Sequence, residues 1–354
     1  MEKSVLTKKM QDRVLRDKIA KELPKEAFKP RPRGLFAIFF LIFFISGSTY
    51  GLLFDPYEWH FMVKFPLALI LGGAYFVLWN ASHEILHGSV VKNKTMRIIL
   101  AQFGMLVFGY SSKKFLVEHF LHHKFLTIVG KDLAFTSVIY KPEKNFLAKF
   151  YFSCSSFYTR LLGVLFIGIA FEIMAYKNFS HSNTISINLK NENIKSFAIL
   201  SLWLALCFLG GWSGSFFAVL LPIACANFLW GIETLAHHFL TPTHEEHEDF
   251  SILEATIDQK APRWLDFLTL NGSHHLEHHL FPSMNWKYLP LVRQGLLKHA
   301  PEQFRCVSYW KLAHVLFTKG IIRHAHKKDV IINPKTLEET STTEIQTLLG
   351  LKNP

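Results

Sequence analysis

Histidines of this chain concentrate in three short clusters whose spacing matches that of neighbouring residues on a helix face. The chain reads HEILH at 83–87, HFLHH at 119–123 and HLEHH at 275–279. Residues three or four positions apart lie on the same side of a helix, so each cluster can present several imidazoles to one point. Imidazole nitrogen binds Zn, Cu, Fe or Ni, whereas Mg and Ca prefer oxygen. The three clusters therefore predict a histidine-rich metal centre.

The cluster histidines are too many for one tetrahedral ion. Residues adjacent on a helix point about 100° apart, so the paired histidines of each HxxHH cluster can reach two different ions. The spacing predicts two metal ions and does not by itself choose iron over zinc. The candidate ligands are His83, His87, His119, His122, His123, His275, His278 and His279.

A ninth candidate ligand is His237, which follows the last long apolar stretch of the chain. Glu233 lies one helical turn before it and is a tentative ligand or supporting residue. The neighbouring His238 would point elsewhere on a helix, which favours a structural role for it. The four cysteines are widely spaced and form no CxxC pair, so neither a disulfide framework nor a thiolate metal site is predicted.

Long apolar stretches beside the clusters identify the elements that must position them. Half of the 354 residues are hydrophobic, 19% are charged and 34 are phenylalanine, which is unlike a soluble domain. A helix needs about 20 apolar residues to cross a bilayer. We predict an all-α integral membrane fold, with four transmembrane helices and a helical cytoplasmic cap that carries the two-metal site. The expected spans are about 34–54, 65–82, 196–210 and 214–231, the last two separated by a glycine-rich turn.

Charge and the positions of the clusters predict the topology. The first 33 residues carry eleven Lys and Arg against five Asp and Glu, which favours a cytoplasmic N-terminus. Clusters that share one site must lie on one side of the membrane, so an even number of spans separates them and the C-terminus is also cytoplasmic. The shorter apolar runs 98–110 and 161–176 are therefore interpreted as in-plane or re-entrant segments. The predicted divisions are a basic N-terminal segment 1–33, a membrane domain 34–305 and a cytoplasmic C-terminal extension 306–354.

The formal net charge of +12 then lies mainly on the cytoplasmic side. There it can attract anionic headgroups, acidic proteins or phosphate-bearing substrates. The positive-inside tendency of membrane proteins explains the same charge without any partner. No nucleic-acid partner is expected.

The order of the clusters resembles that of the membrane fatty acid desaturases. HxxxH is followed about thirty residues later by HxxHH, and a second HxxHH comes late in the chain. Residues 271–282 read NGSHHLEHHLFP, which is similar to the third histidine box of that family with its trailing Leu-Phe-Pro. The resemblance covers about residues 34–305; it is specific for the superfamily and says little about the substrate.

The resemblance implies a non-haem di-iron enzyme that uses O2 and two external electrons. Such an enzyme removes two hydrogens from adjacent methylenes of an acyl chain, leaving a cis double bond and water. By the same resemblance, the eight cluster histidines bind iron, and His237 occupies a place like that of an extra ligand upstream of the third box. The implied substrate is a fatty acyl lipid, an acyl-CoA or an acyl carrier protein. The electrons would come from a separate donor of ferredoxin or cytochrome b5 type, in a bacterial inner membrane or the endoplasmic reticulum.

Several features distinguish this chain within that pattern. Some relatives have an asparagine one turn before the extra histidine, where this chain has Glu233. The third box begins with His275 rather than the glutamine of front-end desaturases, and the absence of an HPGG haem motif argues against a fused cytochrome b5 domain. The HxxxH spacing of the first box is more similar to acyl-lipid desaturases than to animal acyl-CoA enzymes.

Two other classes of function stay open at this point. Hydroxylases, ketolases and alkane monooxygenases share related histidine boxes and insert oxygen into the lipid instead. A membrane zinc hydrolase or a metal transporter could also collect histidines. Transporters place ionisable ligands near the bilayer midplane, whereas these clusters follow the ends of the expected spans.

Overall fold

A computed structural model describes residues 7–32, 34–106, 109–128, 131–132, 139–140, 189–238, 240–319, 322–324, 330–332 and 338–351. Its helices, numbered in chain order, are α1 Lys8–Glu22, α2 Gly34–Phe54, α3 Phe61–His87, α4 Lys94–Leu106, α5 Ser112–Phe125, α6 Leu189–Ser215, α7 Leu221–His238, α8 Ile252–Ala255, α9 Arg263–Leu268, α10 His275–Leu280, α11 Leu289–His299, α12 Tyr309–Lys319 and α13 Thr342–Leu349. Its strands are β1 Ile139–Tyr140, β2 Asp258–Lys260, β3 Cys306–Ser308, β4 Ile322–His324, β5 Val330–Ile332 and β6 Glu339–Ser341. Short 3-10 turns occupy Lys25–Phe28 and Trp286–Tyr288, and a π-helical turn at Phe216–Leu220 joins α6 to α7.

The fold is mostly helical, as the sequence predicts, and it adds two small sheets that the expectation of an all-α fold missed. One sheet has the order β1-β4-β5-β6, with β1 and β4 parallel and the other pairs antiparallel. The other pairs β2 with β3 in parallel and aligns Asp258 with Cys306. Strands of two or three residues carry little periodicity, so a sequence pattern does not reveal them.

The chain divides into two compact units. The apolar unit comprises Pro30–Glu118 and Phe157–Gly231. The histidine-rich unit comprises Met1–Lys29, His119–Ser156 and Ile232–Pro354. The predicted in-plane segment 161–176 lies outside the described residues.

Long helices with apolar surfaces form the apolar unit. By length and composition, the helices Phe61–His87 and Asn191–Trp230 could each cross a membrane, and Ile38–Phe54 is a shorter apolar helix. Phe36 of α2 and Phe208 of α6 are 82% and 88% exposed. A helix whose outer surface is apolar is suited to a lipid rather than an aqueous environment.

Helix α3 has clear local signals at both ends. Nδ1 of His60 accepts the amide of Met62 at 3.3 Å and caps the N-terminus. Gly88 ends the helix in the left-handed conformation, with φ of 85°, which glycine adopts at little cost. The first histidine cluster therefore occupies the last two turns of α3.

The long apolar stretch that contains α6 is interrupted at Gly211, within the last two turns of that helix. Its φ of 61° and ψ of −168° are not helical. The hydroxyl of Ser215 donates to the carbonyl of Cys207 at 2.6 Å, whereas residues eight apart in a straight helix are separated by about 12 Å. The chain therefore bends sharply within the glycine-rich turn. Added Cβ atoms at Gly210 and Gly214 would meet Leu53 of α2, so close helix contact also requires these glycines.

The histidine-rich unit has its own apolar core. Ile19 of α1, Leu276 and Leu280 of α10, and Val292 and Leu296 of α11 belong to one buried cluster. The core side of α10 is thereby occupied by leucines, and its histidines are left on the other faces.

Buried polar residues fix a loop beside this core. The carboxylate of Asp12 in α1 accepts the hydroxyl of Ser251 at 2.5 Å. Arg305 is 3% exposed and donates to the carbonyl of Leu253 at 2.9 Å. These contacts fix the loop at residues 251–257. The backbone carbonyls of Ala255 and Ile257 in this loop accept hydrogen bonds from the two histidines at the end of α7.

Candidate metal centre

The third histidine cluster forms helix α10, whose faces have different environments. Leu276 and Leu280 point into the core and are 0% and 4% exposed. The amide of Leu276 donates to the Asp258 carboxylate at 2.8 Å, which satisfies a free backbone donor of the first turn. His275 and His279 lie four residues apart on another face, and their Nε2 atoms are 3.0 Å apart.

Four imidazoles from α5, α7 and α10 converge in the histidine-rich unit. This four-histidine group consists of His122, His238, His275 and His279, whose ligand nitrogens all lie within 4.8 Å of one another. Nε2 of His238 lies 3.2, 2.9 and 3.2 Å from Nε2 of the other three. At a metal–nitrogen distance of about 2.0–2.1 Å, such separations correspond to angles of about 90–105° at a shared ion. The group therefore has the dimensions of a metal site.

Hydrogen bonds on the outer side of the rings orient two of these imidazoles. Nδ1 of His122 donates to the carboxylate of Asp132 at 2.9 Å, and Asp132 is fully buried and also accepts the amide of Thr127 at 2.9 Å. Nδ1 of His238 donates to the carbonyl of Ala255 at 3.0 Å. With the proton on Nδ1, the Nε2 atom of each ring carries a lone pair directed into the group.

Burial keeps these rings in the form that binds metal. It lowers the pKa of His238, His275 and His279 well below the usual value, and neighbouring imidazoles lower each pKa further. The rings are therefore neutral at pH 7. The proton of the neutral His238 ring lies on Nδ1, so its Nε2 lone pair faces the Nε2 atoms of His122, His275 and His279 at 2.9–3.2 Å. A bound cation would satisfy these converging nitrogens, so the donor set fits a metal ion.

A second group of imidazoles lies in the same unit. This three-histidine group consists of His119, His123 and His278, whose ligand nitrogens also lie within 4.8 Å of one another. Nε2 of His123 lies 2.9 Å from that of His119 and 3.3 Å from that of His278. The adjacent pairs 122–123 and 278–279 thus divide between the two groups, as the rotation of about 100° per helical residue requires.

The apolar unit presents two more imidazoles at the end of α3. His83 and His87 lie four residues apart, with ring centroids 4.8 Å apart. Nδ1 of His83 lies 3.3 Å from the carboxylate of Glu84, which also accepts the hydroxyl of Ser89 at 2.9 Å. These contacts fix the last turn of the helix, so both rings project from one end of α3.

The structure places His238, and not the predicted His237, in the four-histidine group. Nδ1 of His237 donates to the carbonyl of Ile257 at 3.0 Å, and its Nε2 lies 3.4 Å from the side-chain nitrogen of Gln259. Its ring stacks on His275 with centroids 4.0 Å apart. Burial lowers the pKa of His237 to about 4, so it is a neutral ring packed beside the group. His238 therefore belongs to the four-histidine group, and His237 lies beside it.

Glu233 lies outside both groups. Its side chain is buried, and its backbone carbonyl accepts the side-chain nitrogen of Gln259 at 2.8 Å. Within the part of the chain that the structure describes, neither group includes a carboxylate ligand. Glu233 lies on α7 with His237, and its tentative role as a ligand or supporting residue stays a prediction.

A buried charged cluster supports α10 from the side away from the four-histidine group. Arg293 of α11 donates to Glu277 at 2.8 Å and to Asp258 at 3.0 Å. Both carboxylates are fully buried, and Nδ1 of His274 lies 3.2 Å from Glu277. Burial alone would lower the pKa of Arg293, but the two carboxylates outweigh it and raise that pKa. Arg293 is therefore charged and holds the helix that carries three of the candidate ligands.

Sequence reasoning missed the residues that orient the candidate ligands. Asp132 follows the second cluster by nine residues, and a single acid near a histidine cluster is a weak signal. Ala255 acts through its backbone carbonyl, which no side-chain pattern reveals. Arg293 is distant from every cluster in sequence, and only the tertiary structure brings it to α10.

A family model and the named relatives of this chain all point to desaturases. The sequence model of the family described as fatty acid desaturase matches residues 59–313. Fatty acid desaturase 3 of Bos taurus is 25% identical over 269 residues, which cover 66% of this chain and 55% of that protein. A sphingolipid delta(4)-desaturase of Candida albicans is 24% identical over 264 residues, which cover 70% of this chain and 65% of that protein. A sphingolipid delta(4)-desaturase/C4-monooxygenase of Mus musculus is 38% identical over 74 residues, covering 21% of this chain and 20% of that protein. The chain thus spans about half to two thirds of the length of the first two relatives.

Proposed function

The chain belongs to the fatty acid desaturase family, and from that premise we propose that it catalyses O2-dependent formation of a cis double bond in the fatty acyl chain of a lipid. The observation that carries the proposal is the pair of histidine groups in the histidine-rich unit. Seven imidazoles with converging nitrogens form a donor set for two ions, and six of them belong to the clusters that define the family resemblance.

The proposed cofactor is a pair of iron ions. When bound, they would let O2 be reduced to two water molecules with two electrons and two protons from the lipid, two electrons from a donor and two protons from solvent. Neutral imidazoles suit such chemistry because they resist oxidation better than thiolates, which oxidise readily. The four-histidine group would hold one ion, and the three-histidine group would contribute to the other.

The first cluster completes the proposed ligand set. His83 and His87 are assigned to the same centre on the basis of their spacing and the family pattern. Their common face at the end of α3 is compatible with binding to one ion. The proposal replaces His237 with His238 and leaves the other eight sequence-based ligands unchanged.

Protein groups around the ligands would keep the centre in one arrangement. The carboxylate of Asp132 and the carbonyl of Ala255 hold the Nδ1 protons of two ligands, so their Nε2 atoms stay available. Burial excludes water and keeps the rings of His238, His275 and His279 neutral. Arg293 fixes α10 through two buried carboxylates, which keeps the three ligands of that helix in register.

The proposed setting is a membrane with separate redox and lipid partners. Four spans with cytoplasmic termini remain the predicted topology, and the bend at Gly211 supports two helices within the stretch Asn191–Trp230. The substrate would be carried as a lipid, an acyl-CoA or an acyl carrier protein. The donor would be a separate ferredoxin or cytochrome b5 type protein. The names of two relatives add sphingolipids to the substrates to be tested.

Lipid profiling of an expressing host tests the reaction. Mass spectrometry should show a product with two fewer hydrogens in cells that make the full chain. His278→Ala should abolish this product while leaving membrane insertion intact, and the exposed His247 gives a matched control, His247→Ala. A product with one added oxygen and no new double bond would refute desaturation. Metal analysis after anaerobic purification from iron-replete cells should find iron, and two zinc ions without iron would refute the proposed cofactor.

A further inference from the structure

Helix α9 in the histidine-rich unit carries an exposed aromatic face. Trp264, Phe267 and Leu268 lie at positions i, i+3 and i+4 and are 61%, 71% and 42% exposed. None of the six residues of this helix is buried. Three large apolar side chains on one face of a helix that contributes nothing to the core indicate a surface for binding. We call this surface the α9 face.

Basic residues border the α9 face. Lys260, at the end of β2, and Arg263, the first residue of α9, are both exposed. Pro262 separates them and caps the helix, so both cations belong to one short segment. An aromatic face with lysine and arginine at its edge is the composition of segments that lie in the headgroup region of a bilayer.

The opposite side of α9 is tied to the protein by hydrogen bonds. The carboxylate of Asp266 accepts the hydroxyl of Ser273, and its backbone carbonyl accepts the amide of Asn271 at 2.6 Å. The hydroxyl of Thr269 donates to the carbonyl of Leu265 at 2.9 Å. The polar side of the helix is therefore satisfied internally, and only the apolar side is directed outward.

A rigid turn joins α9 to the third histidine cluster. Leu270 and Asn271 both have left-handed φ values, 55° and 62°, which non-glycine residues rarely adopt. The side chain of Asn271 donates to the carbonyl of Trp286 at 2.9 Å, and its own carbonyl accepts the amide of His274 at 3.0 Å. The turn is thus specified by hydrogen bonds at both ends. Movement of α9 would be transmitted directly to the start of α10.

We propose that the α9 face is an anchor that inserts into the headgroup region of an anionic phospholipid bilayer. Its aromatic side chains would enter the boundary between headgroups and acyl chains, and Lys260 and Arg263 would contact lipid phosphates. Because the turn at 270–271 couples α9 to α10, the anchor sets the depth at which the third cluster meets a lipid chain. The inference rests on the proposed membrane location and not on the chemistry of the metal centre.

The size of the α9 face favours lipid over a protein partner. Its exposed apolar area is on the order of 300 Å², given that a whole aromatic side chain buries 150–250 Å². A stable protein interface needs about 800 Å² on each partner. An interfacial segment has no such threshold, since its binding scales with buried apolar area plus attraction to anionic lipid.

Spin-label depth measurement on the full chain in lipid nanodiscs tests the anchor. The four native cysteines, Cys154, Cys207, Cys225 and Cys306, are first replaced by alanine. A nitroxide is then placed by Phe267→Cys, by Asp17→Cys on the solvated side of α1, or by Phe208→Cys on the exposed apolar surface of α6. Power saturation compares the accessibility of each label to O2, which partitions into lipid, with its accessibility to the aqueous Ni-EDDA complex.

The expected result is a severalfold higher ratio of O2 to Ni-EDDA accessibility at 267 than at 17. The ratio at 267 should rise with the fraction of phosphatidylglycerol, and Arg263→Glu should abolish that rise. If the label at 267 is as accessible to Ni-EDDA as the label at 17 while the label at 208 is immersed in lipid, the anchor is refuted and the proposed membrane location stands. If the label at 208 is also exposed to water, both the anchor and the proposed membrane location are refuted. Immersion at 267 only in discs that hold two chains identifies a second copy as the occupant and also overturns the proposal.

Discussion

Asn in place of Asp132 offers the sharpest test of how the centre is assembled. Both carboxylate oxygens of Asp132 lie 2.9–3.0 Å from Nδ1 of His122, and Oδ2 also accepts the amide of Thr127 at 2.9 Å. The amide of asparagine has nearly the same shape but offers one acceptor and one donor. With its oxygen in the place of Oδ2, the asparagine accepts both N–H groups, but its NH2 group then lies about 3.0 Å from Nδ1 of His122, and the negative charge that orders the imidazole is lost.

The structure separates two contributions to the expected effect. Loss of an outer partner of a metal ligand costs about 10–100-fold in metal affinity, or about 1.4–2.7 kcal/mol at 1.36 kcal/mol per factor of ten. The buried NH2 group that finds no acceptor destabilises the fold by about 1–3 kcal/mol. Asp132→Asn should therefore release metal at a lower chelator concentration than the unmodified protein, and should also melt at a lower temperature.

Competition with a chelator measures the first contribution directly. Purified protein is dialysed against graded chelator at a temperature where both forms are folded, and retained metal is counted. Asp17→Asn is the matched control, because Asp17 is exposed in a 3.8 Å ion pair with Arg16 that contributes about 0–1 kcal/mol. If Asp132→Asn keeps its metal to the same chelator midpoint as this control, the carboxylate does not orient a ligand and the assignment of His122 is wrong.

Three further predictions follow from the same contacts. His238→Ala should lose bound metal, whereas His237→Gln should keep it, and metal counting on both variants decides which histidine is the ligand. In metal-free protein, the lowered pKa values of the buried imidazoles mean that the unfolded chain binds more protons than the folded chain below about pH 6.5. Stability should therefore be full above that pH and fall by up to about 1.4 kcal/mol per pH unit for each such ring between about pH 6.5 and 5, and a flat series of melting temperatures over that range contradicts the burial argument. Gly211→Ala should destabilise the protein by about 1–3 kcal/mol, because its backbone conformation is nearly restricted to glycine and no side-chain clash contributes. Gly73→Ala, at a helical site with equal space, should instead be neutral or stabilising, as melting in detergent would show.

Part of the site follows from local geometry and could be predicted. Adjacent histidines on one helix must point in different directions, so His122 and His123 divide between two groups whatever surrounds them. The glycines at 210–214 indicated a break in a stretch too long for one span, and Gly211 has a backbone conformation that allows one. Such features depend only on the helix repeat and on the conformational freedom of glycine.

Other parts could not be predicted because they depend on residues distant in the chain. On α7, either His237 or His238 could have faced the other candidate ligands. The helix repeat fixes the angle between the two side chains, but it does not determine which of them points toward the four-histidine group. The carbonyl groups of Ala255 and Ile257 decide the matter by accepting one Nδ1 proton each. Strands as short as β2 and β3 likewise have no pattern of their own and form because their partners are brought alongside.

By itself, the sequence determined the ligand type, the number of ions the clusters can reach and the mostly helical, apolar character of the chain. Each of these depends on residue chemistry and on a repeat of a few residues, which are local properties. Only the tertiary structure decided that His238 rather than His237 enters the four-histidine group and that Asp132 and Arg293 support candidate ligands. It also decided that the α9 face is directed outward. The reason is physical: hydrogen bonds and burial depend on what packs against a residue, and the partners here lie 10 to 35 residues away in the chain.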